Sequence, residues 1–179
     1  MNEAQLYPEE LYPGDFAALS RMKILVIDNE PANVALLKAL LSERGFTRLE
    51  LVTDSRLVLD ACRDFNPDLI LLDLMMPPPD GFSILQSLRE TDSEVFLPVI
   101  VLTADVDKKA KIRALRAGAN DFLLKPFDHL EVLLRIINLL ETRRLHLQLD
   151  MDRAALADAV YARTSELSSA ESELQKTQS

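Results

Sequence analysis

Apolar residues in this chain recur in short unbroken runs, each closed by polar or turn-forming residues. The runs are KILVID (23–28), LELVT (49–53), DLILLD (68–73), LPVIVLT (97–103) and DFLLK (121–125). Continuous aliphatic runs of this length predict strands of a parallel sheet covered on both faces. The stretches between them carry helical spacing. Pro31 opens a helix with Val34, Leu37 and Leu41 on one face and Gly45 as its stop. Asp54 or Ser55 caps SRLVLDACRDF (55–65), which Asn66-Pro67 breaks. GFSILQSLRE turns Phe82, Leu85 and Leu88 inward, and DKKAKIRALRAG ends at Gly118. Everything after Pro126 reads as helix.

Five strands alternating with five helices predict an α/β, doubly wound sheet, because right-handed crossovers place helices on both faces. The flavodoxin-like strand order 2-1-3-4-5 is the expectation, with an extended C-terminal helix. Residues 1–20 hold four acids, no bases and two Tyr-Pro pairs, and are expected to form a flexible N-terminal extension, docking at most through Leu11, Tyr12 and Phe16. Residues 21–142 form the globular domain and 143–179 a helical connector.

Composition narrows the function. The formal net charge of -9 argues against direct binding of nucleic acid or a membrane surface. The single cysteine, Cys62, excludes a disulfide framework and suits a reducing cytoplasm. No run reaches the 18 apolar residues of a membrane span, and Met1 to Ser20 has no signal-peptide pattern. Walker, HExxH and zinc-type Cys/His spacings are missing from the sequence.

Asp73 stands out. It closes an aliphatic run, with no basic residue within nine positions on either side. An unpaired carboxylate there would be costly. In a doubly wound sheet ligands gather outside the carboxyl ends of the strands. Those ends carry Asp28-Asn29-Glu30, Asp73, Thr103-Ala104 and Lys125-Pro126, from strands one, three, four and five. Two acids and a backbone carbonyl make a hard oxygen site suited to Mg²⁺. A lysine and a threonine beside them suit phosphoryl oxygens. A carboxylate so placed can attack phosphorus to give an aspartyl phosphate.

The motifs ILVIDNEP, PDLILLDLMMPPPDGF, VIVLTA and DFLLKPF, over about residues 22–141, resemble those of the receiver domain of two-component response regulators. The resemblance implies that Asp73 is the phosphoacceptor. It implies a metal site for Mg²⁺ (or Mn²⁺) from Asp28, Asp73, the carbonyl of Met75 and Asn29. Lys125, Thr103 and Ala104 would bind the phosphoryl group, with Thr103 and Phe122 as the switch pair and Pro126 following a cis peptide. A sensor histidine kinase or phosphotransfer protein would be the phosphoryl donor. Asn29 departs from the family, which places a second acid there, so an uncharged amide stands at a metal-ligand position.

Two other readings compete. A haloacid-dehalogenase-type phosphatase needs a second Asp two residues after the first, where this chain has Glu30. A phosphorylation-independent dimerisation adaptor would follow if Asn29 disables the pocket. The tail carries a partial heptad seam, with Leu149 and Leu156 seven apart, as are Val160, Leu167 and Leu174, interrupted by Arg153 and Arg163. A parallel homodimer through this helix is expected. LLETRRLHLQL followed by RTSEL resembles the connector of regulators with HD-GYP outputs, and the polar end ESELQKTQS reads as a stop before an output domain.

Overall fold

The computed structural model describes residues 12, 14–91, 96–104 and 108–177. Five strands, β1 (Ile24–Ile27), β2 (Leu49–Val52), β3 (Leu69–Asp73), β4 (Val99–Thr103) and β5 (Asp121–Leu124), form one sheet in the order β2-β1-β3-β4-β5. All four pairings are parallel. The expected fold class, a flavodoxin-like sheet with a long C-terminal helix, is therefore the observed one. β1, β3 and β4 are buried at every position, as interior strands covered on both faces must be. β2 and β5, at the edges, are only partly buried.

The helices are α1 (Phe16–Leu19), α2 (Pro31–Glu43), α3 (Val58–Phe65), α4 (Gly81–Thr91), α5 (Lys108–Arg116) and α6 (His129–Thr177). Pro31 sits at the first turn of α2, where its missing N–H costs nothing. Asp54, rather than Ser55, supplies the cap before α3, accepting from Arg56 N at 3.0 Å at the head of a 3₁₀ turn (Ser55–Leu57). Asn66 ends α3 in the left-handed region at φ 51°.

At the N-terminal end Leu11 lies outside the described residues, while Phe16, one of the residues expected to dock, sits in a short helix packed on the domain. Asp15 accepts a hydrogen bond from Ala18 N and caps α1, whose Leu19 is completely buried. Phe16 meets Phe46 edge-on, with ring centroids 5.5 Å apart. A short apolar segment amid acids gave no periodic signal in the sequence, yet it covers part of the core.

The chain divides into two compact units, Met1–Arg144 and Leu145–Ser179. In the first, α6 buries Val132, Leu133, Ile136, Ile137 and Leu140. Arg143 is buried with them; its Nη1 donates to Phe96 O at 2.6 Å and its Nε lies 3.5 Å from Asp68 Oδ1. In the second unit every residue from Met151 to Thr177 is exposed, including Leu156, Val160, Leu167 and Leu174.

If α1 is part of the core, Leu19→Ala should cost about 2–5 kcal/mol in urea unfolding, as for other buried leucines. A loss below about 0.5 kcal/mol, the range of surface substitutions, would mean that α1 is not docked.

Candidate functional site

The strand register sets the site. Ile27 pairs with Leu72 and Asp73 with Leu102, so Asp28 and Asp73 emerge at the same level on adjacent strands. Thr103 pairs with Leu124, which places Lys125 just beyond it. Lys125 N donates to Thr103 O at 2.9 Å, holding that strand end in place. The peptide joining Lys125 to Pro126 is cis.

Asp28 is fully buried and Asp73 is 2% exposed. The Lys125 ammonium lies between them, 2.6 Å from Asp28 Oδ2 and 3.2 Å from Asp73 Oδ2. Asp28 is further anchored by Glu30 N, which donates to Oδ1 at 2.9 Å, and by Asn33 Nδ2, which donates to Oδ2 at 3.0 Å. Glu30 therefore contributes its backbone to the pocket. Asp73 Oδ1 accepts from Met75 N at 3.1 Å. Burial pushes the Asp73 carboxyl above the usual carboxylate range, and the neighbouring Asp28 adds to this. The Met75 N–H and the Lys125 ammonium pull the other way without restoring the ordinary value.

Asn29 meets the same pair of groups. One terminal atom of its carboxamide lies 3.2 Å from Met75 O and 3.3 Å from Asp73 Oδ2, and the other faces donors. The orientation that satisfies both ends directs Nδ2 at the two oxygens. Three polar groups thus converge where the sequence places a metal, and an oxygen at the Asn29 position would complete a hard ligand set. The donor set fits a small divalent cation. Asp28, whose carboxylate already accepts from Glu30 N, Asn33 Nδ2 and the Lys125 ammonium, adds its charge to the set.

Thr103 is buried at the same sheet edge, followed by the exposed Ala104. Phe122 lies half-buried against the core cluster, with Lys111 Nζ 4.7 Å and the Arg135 guanidinium 5.9 Å from its ring centroid. It sits on β5 and makes none of the contacts that join Asp28, Asp73 and Lys125.

Sequence reasoning missed three contributors. Asn33, one helical turn into α2, holds Asp28. Ser55 donates to Pro77 O at 3.1 Å and pins the loop after β3. Gly81 reads as a turn residue in PPPDG, but a Cβ there would fall 2.3 Å from Asp73 O. The head of α4 approaches the backbone beneath Asp73 so closely that only glycine fits. Each acts through one tertiary contact, which no local pattern announces.

Comparison with known proteins agrees with this geometry. Residues 24–138 match the family model of the response regulator receiver domain. This chain belongs to that family. It is 37% identical over 116 residues to the DNA-binding response regulator MtrA of Mycolicibacterium smegmatis, covering 65% of this chain and 49% of that protein. It is 37% identical over 117 residues to the response regulator PleD of Caulobacter vibrioides, covering 65% and 26%. The chain thus spans half or less of these relatives' length. Among solved structures, the receiver domain of the Francisella response regulator 1452 superposes with a TM-score of 0.63 at 32% identity, covering 68% of this chain and 98% of that one. A putative two-component system response regulator/GGDEF domain protein gives 0.66 at 27%, covering 72% and 52%.

The raised Asp73 carboxyl has a testable sign. A folded-state value above the unfolded one means that ionising Asp73 costs stability as pH rises through the folded value. In metal-free buffer Asp73→Asn should therefore be more stable than the parent at neutral pH. That advantage should fade as pH falls through the raised folded-state value and be gone below the ordinary aspartate value. Chemical denaturation at several pH values reads this out; a deficit for Asp73→Asn at neutral pH would contradict it.

Proposed function

We propose that Asp73 accepts a phosphoryl group from a phosphohistidine of a sensor histidine kinase or phosphotransfer protein. The observation that carries this is the Lys125 ammonium held between two buried carboxylates. Asp73 attacks phosphorus with one carboxylate oxygen, the P–N bond breaks, and the imidazole leaves. Lys125 then faces a phosphoryl group bringing about two negative charges. Mg²⁺ or Mn²⁺ would be held by Asp73, the Met75 carbonyl and Asn29, with Asp28 adding charge, and would supply countercharge to the phosphoryl oxygens. Thr103 and the backbone of Ala104 would take the remaining oxygens. Movement of Thr103 towards the phosphoryl group would open space for Phe122, shifting β4, α5 and β5.

Such a module works in the cytoplasm, where its donors are found. Among the described residues no helix is long and apolar enough to cross a membrane. Relatives include a DNA-binding regulator and a GGDEF domain protein, so receivers of this kind serve several outputs. The connector's resemblance to that of HD-GYP regulators makes such an output one candidate.

The second unit supports self-association as the means of transmission. Its seam of Leu149, Leu156, Val160, Leu167 and Leu174 is exposed along its length. The two arginines that interrupt the seam have acidic partners on their own helix. Arg163 Nη1 lies 3.0 Å from Glu166 Oε2, and Arg153 Nη1 lies 3.9 Å from Asp150 Oδ1. Their charged heads can stay at the margin of a paired interface while their stems lie along it.

Treatment with acetyl phosphate and Mg²⁺ should add one phosphate by mass spectrometry in the parent and none in Asp73→Asn. An adduct that persists in the variant would refute the assignment. For the tail, the full chain should sediment as a dimer and the doubly substituted Leu156→Glu, Leu167→Glu chain as a monomer. A parent that is monomeric in both phosphorylation states would rule out the paired helix.

A further inference from the structure

With the Asn29 amide turned as its neighbours favour, the pocket is satisfied before any cation enters. The Asn29 carboxamide lies against Met75 O and Asp73 Oδ2, both acceptors, at 3.2 and 3.3 Å. In the absence of a cation it is an N–H that serves two acceptors there, and an amide has both a donor end and an acceptor end. An aspartate at this position has acceptors alone. It would face Asp73 and the Met75 carbonyl with like charge until a cation arrived. The amide does the reverse: its donors occupy the oxygens that a cation needs.

We propose that the Asn29 carboxamide is a rotary gate on the metal position. Closed, Nδ2 donates to Met75 O and Asp73 Oδ2. Open, a half-turn about the Cβ–Cγ bond presents Oδ1 as a neutral ligand beside those same two oxygens. Asn29 is exposed, so no close packing holds that torsion in either setting. A cation must displace two hydrogen bonds and gains no new charge from Asn29, so divalent-ion affinity is lower than with an acid. The metal-free pocket is correspondingly more stable. The gate rests on the reading of Asp73, Met75 and Asn29 as the metal position.

Thermal melts and Mg²⁺ titrations of the parent and Asn29→Asp test it, with NMR following the Asn29 side-chain amide and the Met75 backbone amide. In EDTA the parent should melt higher than Asn29→Asp. Saturating Mg²⁺ should raise the variant more than the parent, with affinity about tenfold or more tighter because ligand charge tunes such sites. In the parent, Asn29 and Met75 peaks should shift at the same Mg²⁺ midpoint. The gate is overturned if Asn29→Asp equals the parent in EDTA, or if Met75 shifts saturably while the Asn29 amide stays still. Absence of saturable Mg²⁺ binding in both proteins would overturn the metal position itself, and the gate with it.

Discussion

The structure turns on one ammonium group. Asp28 and Asp73 are both buried at the carboxyl edge of the sheet, side by side on neighbouring strands. Two carboxylates cannot be held there in ionised form without a cation, because the low-dielectric interior penalises each alone and both together. Lys125 meets that demand from the end of β5, with β3 and β4 lying between it and β1, so closing the pocket requires β1, β3, β4 and β5 in register. Removing the lysine would leave a pair of buried like charges, whereas neutralising Asp73 relieves one of them.

Much of this was legible in the sequence because it follows from periodicity. Unbroken aliphatic runs gave the strands, Pro31, Gly45 and Asn66 punctuated the helices, and strand ends gathered Asp28, Asp73, Thr103 and Lys125 at one edge. Other features were not legible, for a consistent physical reason. Asn33, Ser55 and Gly81 matter through single contacts with residues distant in sequence or hidden in a loop. α1 is too short to show a helical period, so Phe16 was a candidate for docking while the burial of Leu19 had no local signal. Asn29 was conspicuous as a departure, but the direction of its amide needed the positions of Met75 O and Asp73 Oδ2.

The surroundings of Phe122 show how charge can be stored for later use. Lys111 and Arg135 both lie near its ring, and Arg135 also pairs with Asp121 and Glu131. Turning the ring therefore means breaking contacts with cations on two different helices. A half-buried aromatic held only by packing would rotate at small cost; this one is coupled to a charge network.

Arg143 carries a consequence for distance. Its guanidinium is fastened to Phe96 O and faces Asp68, at the amino ends of β4 and β3, and Asp68 in turn accepts from Lys23 N before β1. This stretch of the long helix, well past its start at His129, is therefore tied to the edge of the sheet opposite the carboxylates. A five-residue strand at about 3.3 Å per residue separates the two edges by roughly 17 Å. A phosphoryl group on Asp73 could not touch Arg143, and any effect there would have to be relayed through the packed elements between them.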